Sequence, residues 1–132
     1  MKVIYKLWLE NNGGRAFGEG PYLLLKGVET TGSLRQAAAA MEMAYSEARR
    51  LISYCERSLG LALVRRKIGG GSGGGSEVTN DAAKLMRKHE ALRMDIEGAI
   101  GEAYRKHFGA VRPGSILYGG CTQARRETAK IE

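Results

Sequence analysis

Arginine and serine recur at Ser46, Arg49, Arg50 and Ser53, a spacing that places them along one side of an α-helix. Those residue types suit one kind of chemistry. A guanidinium donates paired hydrogen bonds to a guanine edge or a phosphate, and a hydroxyl bonds either. Further along, Arg65, Arg66 and Lys67 are three consecutive cations just ahead of the glycine-rich run 69–76. On a strand, Arg65 and Lys67 share a face and Arg66 opposes them, so at least one face reaches a phosphate. Glycines let a loop backbone adopt positive φ and approach a groove closely, and Ser72 within the run adds a hydroxyl. With Tyr45 at the head of the helix, these are the candidate contacts to double-stranded DNA. Two plainer readings stand beside this one: a solvated charged helix face, and a flexible glycine–serine linker. The run is not a Walker phosphate loop, because the Lys-Ser/Thr pair after its last glycine is missing.

Other chemistries find little support. His89 and His107 are 18 residues apart, about 27 Å along a helix, too far to share a metal. Cys55 falls on an apolar helix face and Cys121 in a polar stretch, with neither disulfide nor zinc spacing. Glu47, Glu56, Asp81 and Glu90 are scattered and read as surface charge. No nucleophile, base or ligand set emerges, so an enzyme is not expected and no cofactor is implied.

The elements that must position these residues follow from pattern. Val3 to Glu10 alternates and reads as a strand, Asn11-Asn12-Gly13-Gly14 as a turn, and Arg15-Ala16-Phe17 as a short return strand. Gly20-Pro21 opens a first helix with Leu24, Leu25 and Val28 on its core face. Ser33 caps a second helix, and Gln36 completes a capping box. Glu42-Met43-Ala44 forms the tight turn before a third helix from Tyr45, whose Ala48, Leu51, Ile52, Cys55 and Leu59 face the core. Gly60 supplies a left-handed stop. Thr79 caps a long last helix, in which Ala82, Leu85, His89, Leu92, Ile96, Ala99 and Ala103 recur at alternating spacings of three and four. That heptad seam, on a helix of about 42 Å, predicts pairing with a second copy. The expected dimer contacts are Leu85, His89, Leu92, Ile96, Ala99 and Ala103. Packing of the helix on its own domain is the competing reading.

The predicted fold is mainly α with a small β component: a winged helix-turn-helix over 1–79, a dimerisation helix over 80–112, and a loose tail over 113–132. At 132 residues and 43% hydrophobic content, the chain is sufficient for one domain with a real core. A net charge of +7 and a pI near 9.6 favour polyanionic partners. No apolar run approaches the roughly 20 residues that span a bilayer, and Met1 to Lys6 lacks a secretion signal. The expectation is a cytoplasmic protein without membrane contact.

Gly32-Ser33-Leu34, Ala37-Ala38, Met43-Ala44-Tyr45, Ala48, Gly60, Leu63-Val64, Arg66, the glycine run 69–75 and Val78-Thr79 together resemble the N-terminal DNA-binding domain of the molybdate-responsive ModE regulators. More distantly they resemble the winged helix-turn-helix of LysR-type regulators. The resemblance covers roughly residues 3–107 and implies a DNA-binding transcriptional regulator. The chain departs from the ModE pattern at Arg49, usually aromatic, at Glu56, often Asn, and at Ala62, usually Pro. Regulators that sense molybdate do so through C-terminal oxyanion-binding domains. Nothing after Thr79 has the alternating strands of such a domain, so the resemblance implies a stand-alone DNA reader. Two further readings remain open: a small oxyanion-binding protein built on the glycine loop, and a non-specific DNA binder that recruits a partner through its long helix.

Overall fold

The structure, a computed structural model, describes residues 1–67 and 75–119. Ser72 and the residues from 120 onward, including Cys121, lie outside the described residues. Within them the order is β1 (Val3–Tyr5), β2 (Trp8–Asn11), β3 (Gly14–Gly18), α1 (Glu19–Thr31), α2 (Leu34–Ala40), α3 (Tyr45–Leu59), β4 (Val64–Lys67), β5 (Gly75–Val78), α4 (Asn80–Phe108) and β6 (Ile116–Tyr118). The fold is mainly α with a small β component. Two compact units divide it, one formed by Trp8–Arg87 and the other by Met1–Leu7 with the chain from Lys88. The division falls inside α4, not at the expected junction 79/80, because Ala82 and Met86 in its first turns belong to the core of the Trp8–Arg87 unit.

In that unit, β2 and β3 pair antiparallel through a turn with positive φ at Asn12 and Gly13. Phe17, Leu24, Leu25, Val28, Ile52 and Leu63 are among the buried residues of one contiguous core. Burying each such side chain contributes about 1.5–3 kcal/mol, which fixes the helices against one another. Gly32 ends α1 in the left-handed region, and its N–H donates to the Val28 carbonyl. Ser33 then caps α2, its Oγ accepting from the Gln36 N–H at 3.1 Å. The reciprocal half of the expected capping box is supplied by another residue, since the Ser33 N–H donates to Thr31 Oγ1 at 3.1 Å. Gly60, at φ 72°, stops α3. Thr79 caps α4 by accepting from the Ala82 N–H, while its own hydroxyl donates to the Ala62 carbonyl at 2.7 Å.

The second unit corrects two expectations. Val3 to Glu10 is not one strand: β1 pairs in parallel with β6, while β2 belongs to the hairpin with β3. The break at Lys6-Leu7 has a physical cause. Leu7 satisfies its backbone on one side chain, donating its N–H to Tyr118 Oη at 3.2 Å and accepting from the same hydroxyl at 2.7 Å. The chain after Pro113 is ordered, not loose, through Gly119. The Val3 N–H donates to the Ser115 carbonyl and the Gly119 N–H to the Tyr5 carbonyl, bracketing β6. Around this sheet, Tyr5 donates to the Glu97 carboxylate, its ring meets Tyr118 edge-on, and the Arg93 guanidinium lies 4.6 Å from the Tyr118 ring centre. Burial, and then the bond to Glu97, push the Tyr5 phenol up to about 12.

The heptad seam also divides. Ala82 is buried and Leu85 packs against the core of its own chain, and His89 is 1% exposed. His89 is thus enclosed within a single chain and is no surface for a second copy, while Leu85 is half-buried against its own core. From Leu92 the stripe emerges: Leu92, Ala99 and Ala103 are exposed and Ile96 is half-buried.

Candidate nucleic-acid interface

α2, the turn Met41–Ala44 and α3 form a helix-turn-helix, and β4–β5 form a two-stranded wing after it. The turn contains Glu42 at φ 56°, and the Met43 N–H donates to the Ala38 carbonyl at 2.9 Å. α3 is two-faced as its sequence predicts. Ala48, Ile52 and Cys55 are buried, while Ser46, Arg49, Arg50, Ser53 and Arg57 are all exposed. One uninterrupted stripe of hydroxyls and guanidiniums therefore runs along the outward side of the helix. Cys55 on the inner face is 2% exposed; burial, and then the nearby Glu56 charge, push its thiol up to about 11.

Tyr45, half-buried at the start of α3, gathers two cations. The Arg35 guanidinium of α2 lies 4.1 Å from the ring centre and that of Arg49 lies 5.9 Å away, both within cation–π reach. The structure thus brings Tyr45 and Arg49 together as candidates and adds Arg35, which sequence reasoning missed. No local spacing connects Arg35 to Tyr45, because the turn of the motif lies between them.

The wing is anchored at three places. Glu56 of α3 accepts from the Leu63 N–H at 2.7 Å and the Val64 N–H at 3.5 Å, so it is a structural acceptor and not the surface charge expected. The Thr79 N–H donates to the Leu63 carbonyl at 3.0 Å. Finally, the Ser76 N–H donates to the Gly32 carbonyl at 2.8 Å. Gly75 passes so close to that carbonyl that a Cβ would sit 2.7 Å from it.

The ladder register is Val64↔Val78, Arg65↔Glu77, Arg66↔Ser76 and Lys67↔Gly75. Arg65 is bound to its cross-strand neighbour, Nε to the Glu77 carboxylate at 2.7 Å. This pair is exposed and worth only about 0–1 kcal/mol, so a phosphate could displace it. Arg66 and Lys67 have no ion-pair partner among the described residues. They border an open groove of about 420 Å³ that also includes Ser33, Arg35, Tyr45 and Ser76 in its lining. Ser33, Arg35 and Ser76 were not foreseen there, since their convergence depends on the contact between the wing and the α1–α2 turn. No helix among the described residues is long and apolar enough to cross a membrane.

A comparison with known proteins finds a relative of the family that the sequence resembles. The molybdenum transport protein ModE of Azotobacter vinelandii is 25% identical over 99 residues, covering 75% of this chain and 37% of that protein. The chain therefore spans little more than a third of the length of the relative it matches. A solved LysR family transcriptional regulator aligns with a TM-score of 0.47 at 19% identity, covering 67% of this chain and 28% of its own. No protein-family model matches the chain.

Proposed function

We propose that the protein is a sequence-specific DNA-binding transcriptional regulator, active in the cytoplasm as a homodimer. α3 enters the major groove with Ser46, Arg49, Arg50 and Ser53 toward base edges and phosphates, and the β4–β5 wing lies on the adjacent backbone. The observation that carries this reading is the α3 stripe: five exposed polar or cationic residues opposite a buried apolar face. A base-reading helix needs that division, because one side must be held by the core while the other stays free for the duplex. The +7 charge supplies the long-range attraction. The likeness to ModE supports the regulatory role.

Dimerisation rests on the outer half of the α4 stripe, Leu92, Ile96, Ala99 and Ala103, which the described residues leave wholly or partly uncovered. A two-fold dimer would set its two α3 helices about 34 Å apart, or a multiple of that, and the operator would be an inverted repeat.

Selection from a random duplex pool, followed by titration of the winner and a scrambled duplex at several salt concentrations, tests the reading. The expected result is a palindromic sequence bound about 10³-fold or more tighter than the scrambled control. Equal affinity for both would reject sequence-specific regulation.

A further inference from the structure

We infer that the groove between α2, the start of α3 and the last two rungs of the wing is a seat for one backbone phosphate of duplex DNA, with Arg35 as its principal cation. The inference rests on the DNA-binding reading and extends it to a site away from the outward stripe of α3. Ser33, Arg35, Tyr45, Arg66, Lys67 and Ser76 all border the groove, and no acidic residue lines it among the described residues. Arg35 and Arg66 therefore share one concavity whose described lining holds no acid, while Lys67, which also borders it, alternates to the face of β4 opposite Arg66.

The hairpin's own acid is kept elsewhere. Glu77 is paired with Arg65 at 2.7 Å, one rung from Arg66↔Ser76, and successive rungs present their side chains to opposite faces. Arg35 is held near the start of α3 by a cation–π contact, its guanidinium carbon 4.1 Å from the Tyr45 ring centre. A planar fork so held loses little freedom on binding a tetrahedral oxyanion. The opposite wall is equally fixed: the Ser76 N–H is bonded to the Gly32 carbonyl, and Gly75 lies against the same atom. Two hydroxyls, of Ser33 and Ser76, complete a lining suited to a phosphodiester.

Arg35→Ala, Arg35→Lys and Arg66→Ala test the seat by fluorescence-anisotropy titration against the selected duplex and a scrambled one, across a salt series. Arg35→Ala is expected to weaken both duplexes by the same factor, and to make the slope of log K against log salt shallower by about 0.9. Arg66→Ala should act in the same direction, and Arg35→Lys should restore the slope but only part of the affinity. Circular dichroism of each variant establishes that it is folded. A duplex carrying one neutral methylphosphonate, moved along the backbone, should reveal a position that weakens the wild type but not Arg35→Ala.

If the wild type binds duplex while folded Arg35→Ala keeps its full slope and affinity, the seat is wrong and the α3 reading stands. No duplex binding by the wild type would overturn both. Thermal stabilisation by inorganic phosphate alone, lost in Arg35→Ala with DNA binding unchanged, would assign the groove to a free oxyanion and overturn the DNA seat.

Discussion

Gly27→Ala sets helix propensity against packing, and the structure decides which wins. Gly27 lies inside α1, where alanine normally gains about 0.5–1 kcal/mol by restricting the unfolded chain. Yet a Cβ built on Gly27 would sit 2.6 Å from the Cβ of Ala37 and 3.1 Å from its Cα. Both atoms lie close to the backbone of α2, so no flexible side-chain end can swing away and the helices must part. Overpacking of this kind costs about 1–3 kcal/mol, and because the displaced atoms lie at the α2 backbone it outweighs the gain, leaving a net loss of up to about 2.5 kcal/mol. With a urea m-value of about 1–3 kcal/mol/M, a loss of 1 kcal/mol lowers the midpoint by roughly 0.3–1 M. Gly98→Ala is the matched control: it also lies inside a helix, but a Cβ there meets nothing within 4 Å, so it should stabilise by about 0.5–1 kcal/mol. Exchanging the pair, Gly27→Ala with Ala37→Gly, returns the space and should restore the midpoint nearly to wild type. A Gly27→Ala midpoint equal to or above wild type would refute the argument, as would strict additivity in the exchanged pair.

Four other outcomes are expected. Glu56→Ala strands the Leu63 N–H and should cost about 1–3 kcal/mol in urea unfolding, whereas Glu56→Gln, which retains an acceptor, should cost less; equal losses would discount the bond. In a Cys121→Ser background, Cys55 should resist alkylation at pH 8 in the folded protein and react once urea is added. Its thiol is raised from an ordinary 9.0 to about 11, so its contribution to stability is full below pH 9 and is lost as pH rises through 11; a Cys55→Ala variant with the same alkaline loss would assign that loss to other groups. Arg50→Ala should lower affinity and relax preference at one base position per half-site, about 1–3 kcal/mol, while Arg65→Ala should weaken all duplexes alike in the same titrations. Leu92→Glu should shift sedimentation from dimer to monomer with α3 intact, and an unchanged dimer would place the interface elsewhere.

Local chemistry made much of the motif legible. Ser33, Gly60 and Thr79 act as caps or stops because capping is decided within a few residues, and the two faces of α3 follow from its period alone. What stayed hidden depends on residues distant in sequence. Glu56 looked like surface charge because its partner is the backbone of the segment entering the wing. Arg35 is set apart from any exposed arginine only by Tyr45 and the wing beyond it. The heptad count could not tell Ala82 and His89, buried within one chain, from Leu92, Ala99 and Ala103, which are exposed. Nor could composition show that Ile116–Tyr118 has a partner, since a strand of three residues carries almost no periodic signal.

That last pairing bears on the order in which the chain can fold. β1 and β6 join Val3 to Ile116 and Tyr5 to Tyr118, the two extremes of the described sequence, and loop closure over such a span is slow. Phe17, Leu24 and Leu63 belong to a core whose buried members all lie within Trp8–Arg87. During synthesis that unit can therefore close while β6 is still being added. The first seven residues meanwhile emerge early and wait as an unpaired strand edge until Ile116–Tyr118 arrives. Until then Val3–Tyr5 is open to pairing with a wrong strand.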